Sequence, residues 1–153
     1  MAAYTAIDNP EAYFQAKLYS GNNDANAITL DGDTDMQPDW LWIKCRTHAD
    51  SSQIFDALRG TNALRSDDTH ADADAASNGF TSLDSDGFTL NGSGGGGNVN
   101  NTGRTYVAWC WKESATAGFG IETWTGDGNT NRDVAHNMSA TPNVAIIKRR
   151  DDT

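Results

Sequence analysis

The chain carries one strand signature twice, and this duplication narrows the folds open to it. Pro38-Asp39-Trp40-Leu41-Trp42-Ile43-Lys44-Cys45-Arg46 returns as Pro142-Asn143-Val144-Ala145-Ile146-Ile147-Lys148-Arg149-Arg150. In both copies a proline opens a short apolar run and Lys-x-Arg closes it. Proline cannot donate to a ladder, so Pro38 pins the start of its strand. Upstream, Phe14 to Gly21 parallels Phe119 to Gly126. The offset is 105 residues from Gly21 to Gly126 and 104 from Pro38 to Pro142, so one residue is lost in the intervening loop, where length changes are tolerated. The organising unit is a duplicated strand, loop and strand, at 14–46 and 119–150.

Alternation supplies the rest of the frame. Between Tyr13 and Tyr19, the apolar Phe14, Ala16 and Leu18 share one face, predicted buried, and Gln15 and Lys17 share the other. In the signature strand Leu41, Ile43 and Cys45 oppose Trp40, Trp42, Lys44 and Arg46. Both faces start apolar, which predicts a central strand. Tyr106–Lys112 is a second strong strand, with Val107, Trp109 and Trp111 opposing Tyr106, Ala108 and Cys110. Asp84-Ser85-Asp86-Gly87 reads as a hairpin turn between strands at 80–83 and 88–90, glycine supplying a positive φ. Ile54–Leu58 reads as a strand or one helical turn, residues 61–78 as a short helix or an exposed loop, and the glycines at 94–97 as a flexible loop.

Residues 1–12, with the turn signal Asn9-Pro10, read as an N-terminal arm, and 13–153 as one domain. Fifteen glycines, five tryptophans and no helices of crossover length predict a mainly β chain. The expected fold is an antiparallel β-sandwich, jelly-roll or lectin-like, with at most one short helix. The second copy's strands are expected to complete the sheets begun by the first, and the polypeptide is expected to continue past Thr153.

A formal charge of −10 with scattered cations argues against nucleic acid and against an anionic membrane surface. No run approaches the roughly 20 apolar residues of a spanning helix, and the N-terminus has neither the basic nor the apolar part of a signal peptide. These features predict a soluble product made in the cytoplasm, without membrane insertion. Cys45 and Cys110 are expected to be buried free thiols.

Calcium is the metal that the acidic loops suggest. Asp31, Asp33 and Asp35 alternate, as do Asp84 and Asp86 and the series Asp127, Asn129, Asn131. None carries the glycine and glutamate of an EF-hand loop, and these residue types are ordinary in turns, so turn-forming is the expected role. His48, His70 and His136 lack zinc spacing. Glu122, on an expected strand, is the best single candidate for a glycosidase carboxylate, and that chemistry needs two. No catalytic residue or cofactor site emerges, which predicts a non-enzymatic protein.

The tryptophans at 40, 42, 109, 111 and 124 allow either a sugar-stacking platform or a core, and alternating strand positions favour core. The second copy replaces Trp40 and Trp42 with Val144 and Ile146 while keeping the lysine and final arginine. Aliphatics can replace rings in a core but not in a stacking platform. The structural signature is therefore Pro38, Trp40, Trp42, Lys44, Arg46, Trp109, Trp111, Pro142, Lys148 and Arg150, a duplicated core element whose cations meet the aspartate-rich loops.

Five motifs together resemble a known family. They are Ile7-Asp8-Asn9-Pro10-Glu11-Ala12-Tyr13-Phe14-Gln15-x-x-Leu18-Tyr19-x-Gly21-Asn22, Gln37-Pro38-Asp39-Trp40-x-Trp42-Ile43-Lys44-x-Arg46, Phe55-Asp56-x-x-Arg59-Gly60, Asp84-Ser85-Asp86-Gly87-Phe88 and Tyr106–Lys112. The set is similar to a domain of unknown function that recurs in tail and virion proteins of marine tailed bacteriophages. Cys45 stands where asparagine is more usual there. The resemblance implies a lectin-like sandwich in a tail, tail fibre or capsid-associated protein of a virion, synthesised in the host cytoplasm. It implies as partners other virion proteins and copies of itself, with host surface glycan as the alternative, and it supplies no catalytic residue.

Overall fold

The computed structural model describes residues 7–74, 79–92 and 99–151. The glycines at 94–97, the last part of the 61–78 stretch and residues 1–6 of the expected arm lie outside the described residues.

Among the described residues nine strands follow in order: β1 (Phe14–Ser20), β2 (Asn26–Thr29), β3 (Trp40–Cys45), β4 (Gln53–Asp56), β5 (Asn62–Arg65), β6 (Ala73–Asp74), β7 (Phe80–Asp84), β8 (Gly87–Leu90) and β9 (Thr105–Trp111). They form a six-stranded sheet, β1-β9-β3-β4-β5-β6, and a three-stranded sheet, β2-β8-β7, with every pairing antiparallel. The expected mainly β sandwich is the fold. Near its start a 3-10 turn, Pro10–Ala12, is begun by Asn9, whose side chain accepts from the Glu11 amide.

The core lies between the sheets. Leu41, Ile43 and Cys45 of β3, Tyr106, Ala108 and Cys110 of β9 and Phe55 of β4 meet Ile28, Phe80, Phe88 and Leu90 of the small sheet. Phe55 stacks on Phe80 with centroids 4.1 Å apart, and Tyr19 meets Phe88 edge-on at 5.8 Å. Side chains of this size contribute about 1.5–3 kcal/mol each when fully buried, so this layer supplies most of the drive to fold. The two-residue turn between β7 and β8 needs glycine at its exit. Gly87 has φ +122, and a Cβ there would sit 2.0 Å from the Ile28 carbonyl oxygen.

Four expectations change. In β1 the period is right but the faces are exchanged: Gln15 is buried, while Phe14 and Leu18 are 39% and 59% exposed. Gln15 tolerates the interior because its amide is satisfied, donating to the carbonyls of Glu11 (3.0 Å) and Thr34 (3.1 Å) and accepting from the Gly32 amide (2.9 Å). The 54–58 stretch resolves into β4, and residues 62–65, read as helix or loop, form β5. Cross-strand pairing of Ile54 with Leu64 overrides the helix propensity of Ala, Leu and Arg.

The arm is tied down at its end, with Asn9 Nδ2 donating to Thr34 Oγ1 (2.7 Å) and the Asp33 amide to Glu11 Oε2 (2.8 Å). Fourth, the second copy completes neither sheet. Apart from a bridge between Ser114 and Phe119, residues 119–151 form no strand, and Val144, Ile146 and Ile147 are 80%, 76% and 72% exposed. In the first copy β9 lies between β1 and β3. Among the described residues no strand takes that place between the second copy's two segments.

Candidate functional site

The outer face of the six-stranded sheet collects four of the five tryptophans, with Phe14 and Phe119 beside them. Register places Phe14, Trp111 and Trp40 on one rung, Ala16, Trp109 and Trp42 on the next, and Leu18, Val107 and Lys44 on a third. Ring centroids lie 4.7 Å apart for Phe14 and Trp111, 4.8 Å for Trp40 and Trp111, 5.5 Å for Trp42 and Trp109 and 5.9 Å for Trp40 and Trp42. Phe119, the repeat mate of Phe14, closes one end, stacked at 6.1 Å on Trp111. An apolar pocket of about 290 Å³ opens there between Pro10, Tyr13, Phe14, Trp111, Gly118 and Phe119.

These tryptophans are only half-buried and stand outside the core between the sheets, which corrects the reading of the strand rings as core. Trp124 is exposed. The strand faces were assigned correctly from alternation, but the layer expected to cover the outer one is missing among the described residues. The rings are also not coplanar: interplanar angles are 64° for both Trp40 contacts and 56° for Trp42 with Trp109. The Trp42 indole N–H is out of solvent contact and has no acceptor among the described residues.

Polar side chains around this face serve the fold. Asp56 and Arg59 form a buried ion pair at 2.7 Å, and Arg59 also donates to the carbonyls of Asn62 (3.1 Å) and Ile54 (3.3 Å). Both signature cations of the first copy end on loop 46–50 or solvent: Lys44 Nζ donates to the Asp50 carbonyl (2.9 Å), Asp50 pairs with Arg104, and Arg46 is exposed. Asn100, marked by no motif, is fully buried and ties three segments together. Its side chain donates to the carbonyls of Asp24 (2.8 Å) and Asn91 (3.2 Å) and accepts from Asn26 (2.9 Å).

The calcium candidates are spread over separate roles. Asp31 pairs with Lys17 (3.0 Å), Asp84 accepts from Ser82 (2.7 Å) and Thr89 (2.6 Å), and Asp86 accepts from the Met36 amide (3.3 Å). Asp33 and Asp35 are exposed on the same loop as Asp31. Among the described residues no group of three or more His, Cys, Asp or Glu is arranged to hold a metal. Glu122 lies exposed and outside any strand, contrary to expectation, and Glu113 accepts from the Ile121 amide (3.1 Å) and Asn137 (2.7 Å).

Cys45 and Cys110 are both free and buried. Cys45 pairs with Tyr106 and Cys110 with Leu41, so the thiols stand four rungs apart, about 13 Å along the sheet, too far to bridge. Burial pushes the Cys110 thiol up to about 12. Burial also raises the phenols of Tyr19 and Tyr106, which stack at 5.1 Å; Tyr19 donates to the Val99 carbonyl (2.7 Å).

With this geometry in hand, the family assignment is direct. The family model described as Domain of unknown function (DUF7483) matches residues 9–153. The chain belongs to that family. No curated protein and no solved structure matches it. The match spans the sandwich, the aromatic face and the second copy, so all three fall within one family unit.

Proposed function

We propose that this chain is a non-enzymatic structural and attachment module of a phage particle, from a tail, tail fibre or capsid-associated protein, made in the host cytoplasm and working as a homo-oligomer. The observation that carries the reading is the outer sheet face, where Phe14, Trp40, Trp42, Trp109, Trp111 and Leu18 make one continuous half-exposed apolar surface. Large exposed patches of this kind mark surfaces that meet another macromolecule. The motif resemblance to virion proteins points the same way. Closed or helical symmetry is the rule for such assemblies.

A second reading is a carbohydrate-binding module for host surface glycan, favoured by four tryptophans that keep part of their rings in solvent. Their tilts of 56–64° favour interlocking with protein side chains over stacking on flat sugar faces. Antibody labelling of purified particles tests the first reading: label on the tail or shell is expected, and particles free of the chain would contradict it. Titration with host-surface oligosaccharides tests the second through tryptophan fluorescence. An emission shift that saturates would support it, and its absence would remove it.

A further inference from the structure

We propose that Val144–Arg150 is an assembly strand, and that its partner is the free edge of β1 on a second copy of this chain. The proposal deepens the reading of a self-assembling module and rests on it.

The donor side begins with sequence. Val144–Arg150 repeats β3, including apolar residues on both faces, yet makes no ladder among the described residues and leaves Val144, Ile146 and Ile147 largely in solvent. Its end is held beside β6: the Asp72 amide, one residue before that strand, donates to the Arg150 carbonyl (2.8 Å), and the two side chains stand 3.4 Å apart. Lys148 Nζ reaches the His70 carbonyl at 3.5 Å. The segment is thus anchored by one end at the β6 side of the six-stranded sheet, while its apolar part stands largely in solvent.

The acceptor is the opposite edge of that sheet. No described strand lies outside β1. The Lys112 amide donates to the Tyr13 carbonyl and the Gly21 amide to the Arg104 carbonyl, so odd-numbered residues face β9. By the alternation of an antiparallel ladder, Phe14, Ala16 and Leu18 present their N–H and C=O groups outward, while the Ser20 carbonyl accepts from the Asn26 side chain (3.1 Å). Such an edge pairs with an added strand unless it is guarded. The inward Lys17 that would ordinarily guard it is neutralised by Asp31 at 3.0 Å.

Charge favours one direction. The donor ends in Lys148, Arg149 and Arg150, of which Arg149 pairs with Asp151 and Arg150 with Asp72, and the start of β1 carries Asp8 and Glu11. An antiparallel strand brings the cations to that end. Keeping on the outer face those residues that match Trp40, Trp42 and Lys44, it sets Val144 beside Leu18, Ile146 beside the small Ala16 and Lys148 beside Phe14. The donor leaves one copy at its β6 edge and enters the next at its β1 edge, so the contact is head-to-tail and builds rings or filaments.

The test compares the full chain with Ala16→Pro and Ile146→Lys by sedimentation over a concentration series. Proline at an outward-facing edge position removes the donor needed by an added strand and leaves the β9 ladder intact, and Ile146 is exposed, so near-UV circular dichroism should report a native fold for both. The expected result is concentration-dependent assembly of the parent chain, weakened at least tenfold in either variant. A mixture of Ala16→Cys and Ile146→Cys chains should also form a disulfide-linked pair that neither forms alone. Should Ala16→Pro fail to fold, Ile146→Lys and the mixed cross-link still decide the matter. Assembly unchanged by Ile146→Lys, or cross-links between Ala16→Cys chains alone, would overturn the strand and leave the module reading standing. A monomer at every concentration would overturn both.

Discussion

Trp40–Cys45 and Val144–Arg150 share a pattern of apolar residues closed by cations, yet the first lies between two strands and the second between none among the described residues. Ile43 is 1% exposed and its repeat mate Ile147 is 72% exposed. The difference is one of neighbours. β3 has β9 and β4 to satisfy its backbone and the small sheet to cover its inner face, whereas nothing described here takes the place of β9 beside the second copy. Strand propensity is largely a measure of such surroundings, so identical local signals give a core element in one place and an uncovered segment in the other.

The largest expected effect comes from ion pairs in the two regions. Asp56→Ala leaves the Arg59 guanidinium buried without its partner and should cost about 3–5 kcal/mol of unfolding free energy. Arg150→Ala removes a longer, partly exposed pair with Asp72 (3.4 Å, side chains 45% and 16% exposed) and should cost roughly 1 kcal/mol. Denaturant melts that placed the two within 1 kcal/mol of each other would erase the distinction.

Core truncation sharpens the same contrast. Ile43→Ala should cost about 2–5 kcal/mol, through lost burial and the cavity left behind, and Ile147→Ala less than about 0.5 kcal/mol in the dilute chain. Chemical denaturation of both variants at low protein concentration checks this.

Alkaline pH acts on the sandwich alone, because the second copy contains neither cysteine nor tyrosine. The Cys110 thiol holds its proton to about 12 in the folded chain, against 9.0 as the ordinary value, so the unfolded state loses protons first as pH rises. Stability should be full below pH 9 and decline from there towards 12, with the buried phenols of Tyr19 and Tyr106 adding to the loss above 10.0. Cys110→Ala should flatten the first part of that decline in melts taken along a pH series.

A small effect is expected at the aromatic face. Trp42→Phe removes an indole N–H that has no acceptor among the described residues, and should change stability by less than about 1 kcal/mol because the lost ring area is offset by the relieved donor. A loss well beyond that would mean the N–H has a partner.

How much of this was legible in the sequence follows from what alternation encodes. The faces of β3 and β9 could be read because their large residues sit at every second position, and the β7–β8 hairpin because Asp-Gly demands a specific turn. Alternation gives a period but not its sign. In β1 the polar Gln15 takes the inside because three hydrogen bonds await it, information held by residues 11, 32 and 34 rather than by the strand. β5 was hidden by helix-forming residues whose partner, Ile54, lies across a turn. The tryptophans were assigned to the right face and expected to be covered; whether a face is covered depends on another layer, which no local pattern reports. Phe119 came into the aromatic face through the repeat, the one long-range signal that the sequence did carry.

The central claim is that the signature strand is folded in the first copy and waiting in the second. Amide hydrogen exchange on the dilute chain measures this directly. Leu41–Cys45 should exchange only through global unfolding, and Val144–Ile147 at close to the rate of an unstructured peptide. Comparable protection of the two segments in the monomer would contradict the account.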